Sequence, residues 1–341
     1  MIKAGLYIFV LISALSAYAR DVQVGVLGLF HPREMIIQAE PGQVLECGNS
    51  SLPQTAKHSW QLQFVRSQIR VTAGDRAAFA TSLICDNGHG GNTEFRVVIP
   101  GRISRRYRGK LTVNPAGHEL LVIVSMEVET AVASVVAAES PPGTHIEALK
   151  AQAVAARSFL IAGGTRHLNF DFCDTTHCQF LREPPYTGSP AWQAALSTRG
   201  LVLTYHDRVF AALYSASCGG HTYTLEELGL PVRDYPYFSV DCEWCHLHPE
   251  KWATHISEAE SQRLQFGELS RLRLARKLGW KAIPGNTYFQ HPEQGGVLIE
   301  GIGNGHGLGM CQRGAADMAK KSSSFIVILK YYYPETVLRS L

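Results

Sequence analysis

Short hydrophobic runs that alternate with polar residues fill the first third of the chain. Many of their residues are β-branched or aromatic, and glycine, proline or asparagine separates one run from the next. Such runs predict β-strands, which are expected at 22–27, 68–72, 95–99, 110–113 and 119–124. Residues 20–125 are therefore predicted to form a strand-rich lobe.

A helical pattern replaces this alternation at residue 126. Val128, Val132 and Val135 recur at i, i+4 and i+7, which places them on one face of a helix. The Ser-Pro-Pro sequence at 140–142 ends that helix, because proline cannot continue it.

A second helix is predicted to begin at Thr144, since Thr144 and Glu147 have the spacing of a capping box. Two glycines at 163–164 end it. Further along, the pattern predicts a helix from 190, a strand pair, a glycine-rich turn and a closing helix. The strand pair is placed at 201–204 and 208–214, and the turn at 301–309. Strands and helices mix without a regular βαβ alternation, so the predicted fold class is α+β, with 126–341 as a mixed helical and strand core.

The first 19 residues have the pattern of a secretory signal peptide. Lys3 precedes an apolar run at 6–15, and Ala17-Tyr18-Ala19 forms a small-x-small cleavage site. The run is too short to span a bilayer, which takes about 20 apolar residues. We therefore expect an exported protein, in the periplasm or cell-wall space, whose mature chain has no transmembrane segment.

Composition narrows the possible partners. A chain that is 45% hydrophobic and 18% charged is globular rather than disordered. The formal net charge of +3 is too small for the basic surface that nucleic acid requires, so no nucleic-acid partner is expected.

Cys47 and Cys85 have no histidine nearby, and a disulfide is their plainest interpretation in an oxidising compartment.

Glu139 is the most informative single residue. It lies eleven positions after Val128, on the same apolar stripe of the first predicted helix and at that helix's C-terminus. Burial and the negative end of the helix dipole should both raise its pKa. A carboxyl group that is protonated near neutrality can give a proton to a glycosidic oxygen and take one back. The alternative is a helix-end glutamate that extends into solvent.

The glycine-rich run at 301–314 is not a phosphate site, because it lacks both a G-K-[ST] sequence and the strand-turn-helix spacing of a dinucleotide fold. Alternate glycines would let the backbone approach a ligand closely, with His306 at the tip. A tight turn with no ligand is the equally weighted alternative.

Two clusters of histidine and cysteine could bind metal. His167, Cys173, His177 and Cys178 form the ligand set of a closed tetrahedral zinc site, although a Cys173–Cys178 disulfide competes with it. The second cluster, Cys242-x-x-Cys245-His246-x-His248, could bind metal or form a disulfide or redox pair.

Cys218 follows a predicted strand, and a thiol nucleophile assisted by His221 or His306 is a weaker hypothesis that would make the protein a hydrolase.

Several ordered motifs together resemble the stage II sporulation protein D family, which includes the amidase enhancers. They are Val135-Val136-Ala137-Ala138-Glu139, the run from Glu147 to Phe159, the stretch from Phe210 to Thr222 with its Ser-x-Ser-Cys-Gly-Gly-x-Thr, and the run from Gly305 to Ala315. The resemblance extends from about 24 to 339. This chain departs from the family pattern at Thr130-Ala131, where the family has Asp-Tyr, and at Ser140-Pro141, where it has Met-Pro.

The resemblance implies a peptidoglycan lytic transglycosylase that acts on glycan strands stripped of their peptides. Glu139 would be the single catalytic acid and base, and the product would carry a 1,6-anhydro end. The groove would be lined by Gln152, Arg157, Ser217, His306 and Gln312. Some family members carry zinc, which here would be structural and would be held by His167, Cys173, His177 and Cys178. Other members mainly stimulate amidases, so a wall-binding amidase activator is the alternative function.

Overall fold

A twelve-stranded sheet is built almost entirely from the N-terminal third of the chain. The computed structural model describes residues 21–48, 55–56, 59–88, 92–232, 234–264, 268–279 and 281–341, so the predicted signal peptide at 1–19 lies outside the described residues. The chain divides into two units, of which the first holds the described residues up to Ala131 together with 165–178 and 340–341. The strands of the first unit are β1 (Asp21–Val26), β2 (Glu34–Ala39), β3 (Glu46–Gly48), β4 (Thr55–Ala56), β5 (Ser59–Val65), β6 (Gln68–Ala73), β7 (Arg76–Ala80), β8 (Leu83–Asp86), β9 (Thr93–Ile99), β10 (Ile103–Ala116), β11 (Glu119–Glu127) and β12 (Phe172–Cys173).

The main path of the sheet runs β12-β1-β11-β10-β9-β2-β5-β6-β7, and most neighbours pair antiparallel. The strand β10 is long enough to pair with β9 through its first half and with β11 through its second half. The predicted strand-rich lobe is confirmed. Cys47 and Cys85 face each other in the register of β3 and β8 and form the expected disulfide.

The segment 165–178 joins this first unit because its short strand β12 pairs in parallel with β1. The carboxylate of Asp174 fixes the end of that pairing, since it accepts hydrogen bonds from the Leu27 amide and from Arg105, both at 3.1 Å. The sequence pattern had placed this loop in the C-terminal core, because a two-residue parallel strand leaves no periodic signal.

The described part of the second unit contains eight helices and three small sheets. Its helices are α1 (Val128–Glu139), which begins in the first unit, α2 (Ile146–Ala162), α3 (Pro190–Ser197), α4 (Glu243–Leu247), α5 (Glu258–Leu264), α6 (Glu268–Leu278), α7 (Gln312–Lys320) and α8 (Phe325–Tyr332). Its strands are β13 (Leu201–Tyr205), β14 (Arg208–Val209), β15 (Tyr214–Ser215), β16 (Lys251–Ile256), β17 (Tyr288–Glu293), β18 (Gly296–Ile302), β19 (Met310–Cys311) and β20 (Val337–Ser340). The α+β class is therefore confirmed.

The helix α2 is the centre of the second unit and packs against α3, α7, α8 and β13. Four of its alanines are fully buried, and their small side chains let neighbouring elements approach closely on several sides: Ala151, Ala153, Ala155 and Ala156. Its start differs from the predicted capping box. His145 is the N-cap and its Nδ1 accepts from the Glu147 amide at 3.3 Å, while the Thr144 hydroxyl donates to the Pro141 carbonyl instead.

The predicted strand at 208–214 is wrong in its middle and in its partner. Only β14 pairs with β13, and the chain then continues to β15, which pairs in parallel with β19. Tyr214 stands opposite Met310 in that pairing, and Ser215 stands opposite Cys311. The strand β15 therefore belongs to the glycine-rich turn rather than to the hairpin.

A smaller core lies between residues 251 and 302. The strands β16, β18 and β17 form an antiparallel sheet in that order, and α5 and α6 follow β16 in the chain. Its buried side chains make a cluster of their own: Ile256, Leu264, Leu274, Ile283, Val297 and Ile299.

Candidate functional site

Glu139 is the last residue of α1, at the end of an apolar stripe. Val128, Val132 and Val135 of that stripe are all buried, whereas Glu139 as a residue keeps partial access to solvent. The sequence pattern that placed Glu139 at the end of an apolar stripe therefore agrees with its position in the structure. Its carboxyl group lies at the boundary between protein interior and solvent.

The surroundings of the Glu139 carboxyl favour its protonated form. Burial raises the pKa of Glu139 from 4.5 to about 7. Two donors offset part of this effect: the Phe180 amide, which donates to Oε1 at 2.7 Å, and the Tyr214 hydroxyl. A carboxyl group with a pKa near 7 can act as both acid and base at neutral pH.

Tyr214 is a half-buried residue whose hydroxyl is buried beside Glu139. Burial first and the nearby Glu139 charge second raise the pKa of Tyr214 well above its usual range, so the phenol stays protonated and can only donate or accept as a neutral group. The Tyr214 hydroxyl lies beside both the Glu139 carboxyl and the Gln152 side chain, and the Gln152 Nε2 has no well-aligned hydrogen-bond partner within the described chain. Buried polar atoms of this kind are rare in folded proteins and are available to a bound hydroxyl or water.

Two glutamines flank the end of α1. The Gln312 Nε2 donates to the Glu139 carbonyl at 3.3 Å, and the Ser140 hydroxyl donates to the Gln152 Oε1 at 2.6 Å. Gln312 is the first residue of α7 and Gln152 lies on α2. The fold thus brings three of the expected site residues together: Glu139, Gln152 and Gln312.

The glycine-rich turn packs against the protein itself. A Cβ at Gly303 would lie 2.7 Å from the Ser217 carbonyl, one at Gly305 would lie 2.7 Å from the Ser215 Cβ, and one at Gly307 would lie 2.6 Å from the Tyr223 ring. All three glycines have positive φ angles. These glycines therefore permit a close approach, as expected. The turn approaches the 213–223 segment of the same chain rather than a ligand.

His306 sits within this turn, between two of those glycines. The Leu308 amide donates to the His306 Nδ1 at 3.0 Å, so the neutral ring carries its proton on Nε2. Gly305, the residue before His306, lies against Ser215, the residue after Tyr214.

Arg157 and Ser217 are placed differently from the other expected residues. Arg157 is 1% exposed, and its guanidinium donates to the Ala195 carbonyl at 3.0 Å and the Leu201 carbonyl at 3.1 Å. Ser217 is 2% exposed, and its hydroxyl lies 3.5 Å from the sulfur of Cys245. Both side chains are bonded inside the protein.

In the first unit, the four predicted metal ligands converge. The ligand atoms of His167, Cys173, His177 and Cys178 all lie within 4.8 Å of one another. The His167 Nε2 is 3.3 Å from the Cys178 sulfur, and the His177 Nδ1 is 3.6 Å from the same sulfur. A cluster with this geometry could hold one metal ion.

Cys218 is buried among three other cysteines rather than exposed beside a histidine base. Hydrogen bonding from Cys242, ahead of that from Cys245 and Cys311 and of burial itself, raises the pKa of the Cys218 thiol. This placement opposes the nucleophile hypothesis, because a nucleophilic cysteine needs an accessible thiolate.

Sequence reasoning missed two groups that contact Glu139. Tyr214 directly precedes the Ser-x-Ser-Cys motif, so its position next to a recognised motif was an available signal. The Phe180 amide is a backbone group and leaves no mark in the sequence.

Comparisons with known proteins match the part of the chain that contains Glu139. Residues 116–205 match the family model of the stage II sporulation protein, SpoIID. This span includes Glu139, the helix α2 and the loop with the predicted metal ligands at 167–178. An uncharacterized protein of Brachyspira hyodysenteriae is 29% identical over 262 residues, covering 67% of this chain and 70% of that protein. Stage II sporulation protein D of Bacillus subtilis is 26% identical over 258 residues, covering 63% and 75%. The amidase enhancer of Bacillus subtilis is 25% identical over 287 residues, covering 59% of this chain but only 39% of that longer protein.

Over these residues the chain is similar to the stage II sporulation protein D family, as its motifs indicated. Among the described residues, no helix combines the length and the apolar character that a membrane crossing needs.

The raised pKa of Glu139 predicts a pH-dependent effect of Glu139→Gln on stability. A carboxyl whose pKa rises on folding contributes stability that is fully present below pH 4.5 and is lost as the pH rises to about 7. The glutamine variant has no such loss. Between pH 5 and pH 8 its free energy of unfolding should therefore rise by about 1–3 kcal/mol relative to that of the parent. Urea unfolding at several pH values measures this difference.

Glu147→Gln is the matched control, on the neighbouring helix. Partial burial opposes the shift, but the Lys150 hydrogen bond and the Phe325 amide lower the pKa of Glu147. Its removal should therefore destabilise the protein at pH 7, and the difference should shrink as the pH falls below the usual range of a carboxyl. Equal pH dependence in both variants would contradict a buried, protonated Glu139.

Proposed function

We propose that this protein is exported and acts on the bacterial cell wall. The proposal is supported by similarity to the stage II sporulation protein D family and to a protein named for amidase enhancement. The expected signal peptide at 1–19 is consistent with export.

The more specific proposal is a lytic transglycosylase that cleaves denuded glycan strands between N-acetylmuramic acid and N-acetylglucosamine. The observation that carries it is Glu139, with a pKa of about 7, at the end of a buried helix face. The groups named around its carboxyl are neutral donors, the Phe180 amide and the Tyr214 hydroxyl. Such a site supplies one proton-transfer group rather than the two carboxyls of ordinary glycosidases.

In the proposed reaction, protonated Glu139 gives its proton to the oxygen that bridges the two sugars. The bond from that oxygen to C1 of the muramic residue breaks, and positive charge develops at C1. The C6 hydroxyl of the same residue bonds to C1 and gives its proton to the Glu139 carboxylate. The acid is thereby restored, the released strand carries a 4-hydroxyl, and the other strand ends in a 1,6-anhydro sugar. No water is consumed.

The residues around Glu139 would bind the glycan in distinct ways. The Gln152 Nε2 is a buried donor without an aligned partner and would donate to a sugar hydroxyl, while the Tyr214 hydroxyl would hold the Glu139 carboxyl in place. Gln312 fixes the end of α1 through the Glu139 carbonyl, and His306 would contact the glycan from the glycine-rich turn. Arg157 and Ser217 would support the groove from within rather than touch the glycan, because both are buried and bonded to the protein.

We also propose that His167, Cys173, His177 and Cys178 hold one zinc ion. Two thiolates and two imidazoles suit zinc better than calcium or magnesium, and their ligand atoms already converge. Four protein ligands leave no position for water, so the ion would stabilise the loop and take no part in the reaction. A local hydrogen bond also orders the loop, since the Thr175 hydroxyl accepts from the His177 amide at 3.2 Å.

A second candidate function is activation of a cell-wall amidase without cleavage of the glycan. It rests on the 25% identity to the amidase enhancer, whose match covers less than half of that protein. It predicts that amidase stimulation survives substitution of Glu139.

Glu139→Gln should lower glycan cleavage by about 10² to 10⁴-fold, because it removes the proton-transfer group while the amide keeps the shape of the side chain. The measurement is digestion of purified denuded glycan with mass spectrometry of the strand ends. The parent should give 1,6-anhydro ends, and Glu147→Gln should cleave at the parent rate. Reducing ends would instead indicate a hydrolase, and intact strands with parent protein would favour the amidase activator.

Tyr214→Phe should raise the pKa of Glu139, because the Tyr214 hydrogen bond lowers it in the parent. The alkaline limb of the pH–activity profile should therefore move to higher pH, with the fold retained. Tyr223→Phe is a control on the same segment, since that ring packs on Gly307. An unchanged profile in Tyr214→Phe would show that the phenol does not act on the Glu139 carboxyl.

Cys173→Ser should reduce bound zinc by about one ion per chain and lower the melting temperature, because metal binding contributes folding stability. Elemental analysis of protein purified without chelator measures the loss. His31→Ala, which changes an exposed histidine of the same unit, should keep the metal. Absence of zinc together with absence of free thiol at Cys173 and Cys178 would establish the disulfide instead.

A further inference from the structure

Four cysteines from three distant segments meet in the core of the second unit. The sulfurs of Cys218, Cys242, Cys245 and Cys311 all lie within 4.8 Å of one another. All four residues are at least 98% buried. We propose that these four cysteines form a second metal site, which binds one zinc ion in a tetrahedral shell of four thiolates.

The sulfur spacing fits one ion better than it fits disulfides. Four sulfurs bound tetrahedrally at about 2.3 Å from one zinc lie about 3.8 Å from each other. The Cys245 and Cys311 sulfurs are 3.6 Å apart, and no pair in the cluster exceeds 4.8 Å. Two disulfides require only that the sulfurs of each pair lie close together. A single ion requires that all four sulfurs converge on one point.

The spacing also limits the kind of metal centre. In iron–sulfur clusters with two or four irons, thiolates bind different irons and stand farther apart than the ligands of a single ion. One ion with four soft thiolates and no need for redox chemistry points to zinc. Binding replaces four thiol protons with one Zn²⁺, and the protons go to solvent.

The backbone holds the three segments together independently of any metal. The Cys242 amide donates to the Gly220 carbonyl at 2.7 Å, which joins the second segment to the first. Ser215 pairs with Cys311 in the β15–β19 ladder, which joins the first segment to the third. Cys242 and Cys311 are the N-caps of α4 and α7, so both thiols lie at positive helix ends.

Hydrogen-bond donors surround the sulfurs. The Gly314 amide donates to the Cys311 sulfur at 3.4 Å, and the Ser217 and Tyr332 hydroxyls lie 3.5 Å and 3.6 Å from the Cys245 and Cys242 sulfurs. Donors of this kind stabilise the negative charge of metal-bound thiolates. A Cβ at Gly314 would collide with the Tyr332 hydroxyl and would lie 2.6 Å from the Cys242 sulfur, so this corner accepts only glycine.

The two histidines of the sequence motif lie outside the cluster. The His248 ring stacks on Trp244 at a centroid distance of 3.9 Å, and His246 is an exposed neighbour of Asp241. The ligands that the motif lacked are Cys218 and Cys311, which come from the two glycine-containing runs.

The site would be structural and would act on the Glu139 region through the backbone. Cys311 directly precedes Gln312, and Cys218 follows Tyr214 by four residues. A closed shell of four thiolates leaves no position for water. The proposal stands on the cysteines alone and does not require that the protein cleave glycan.

The test uses the mature full-length chain, purified without chelator and then also reconstituted with zinc under anaerobic conditions. In Cys173→Ser/Cys178→Ser, which removes the other cluster, elemental analysis should find about one zinc per chain. X-ray absorption at the zinc edge of this variant should show four sulfur neighbours and no nitrogen. His246→Ala in the same background should retain the metal and the spectrum.

Further substitution of Cys242→Ser in that background should remove the remaining zinc or replace one sulfur neighbour with a lighter atom. Because this variant could fail to fold, thiol counting on the Cys173→Ser/Cys178→Ser protein provides a second measurement. Chelator and denaturant should together expose four reactive thiols and release one zinc. Disulfides mapped among the four cysteines, or four reduced thiols that take up no zinc, would overturn the proposal.

Discussion

Close packing between the 303–309 turn and the 213–223 segment is the constraint on which the site depends. Gly303, Gly305 and Gly307 let the two backbones come within hydrogen-bonding distance, and Ser217 and Asn304 exchange such bonds at 3.0 Å and 2.8 Å. This contact fixes the β15–β19 pairing. The pairing in turn places the phenol beside the carboxyl at the end of α1 and gathers the four buried thiols. A side chain at any of these glycines would disturb both.

The two carboxyls at the neighbouring ends of α1 and α2 show how environment decides chemistry. Glu139 loses more by desolvation than two neutral donors return, and its pKa rises to about 7. Glu147 sits at a helix start with Lys150 beside it, and its pKa falls. The same residue type thus favours its protonated form at one helix end and its anionic form at the other. Their separation along the sequence is only eight positions.

Periodicity predicted the strand-rich unit, the helices and the placement of Glu139, because each depends on local pattern. It failed where geometry depends on distant partners. The strand at 208–214 breaks because Tyr214 pairs with a segment almost a hundred positions later. Thr144 was expected to cap α2, but His145 has the better position once the Pro141 carbonyl takes the threonine hydroxyl. The cysteine motif likewise identified Cys242 and Cys245 but not their partners. Non-local pairing leaves no regular signal in one sequence.

The segment between residues 251 and 302 begins and ends at one place within the second unit. The strands β16 and β18 pair along their whole length, Lys251 stands opposite Ile302, and the Gly303 amide donates to the Glu250 carbonyl at 2.8 Å. The segment therefore forms a closed excursion with its own small core. Lengthening such an excursion costs little loop-closure entropy, about 0.6 kcal/mol for each doubling. A longer segment here would therefore leave the turn and the helices that the site needs in place.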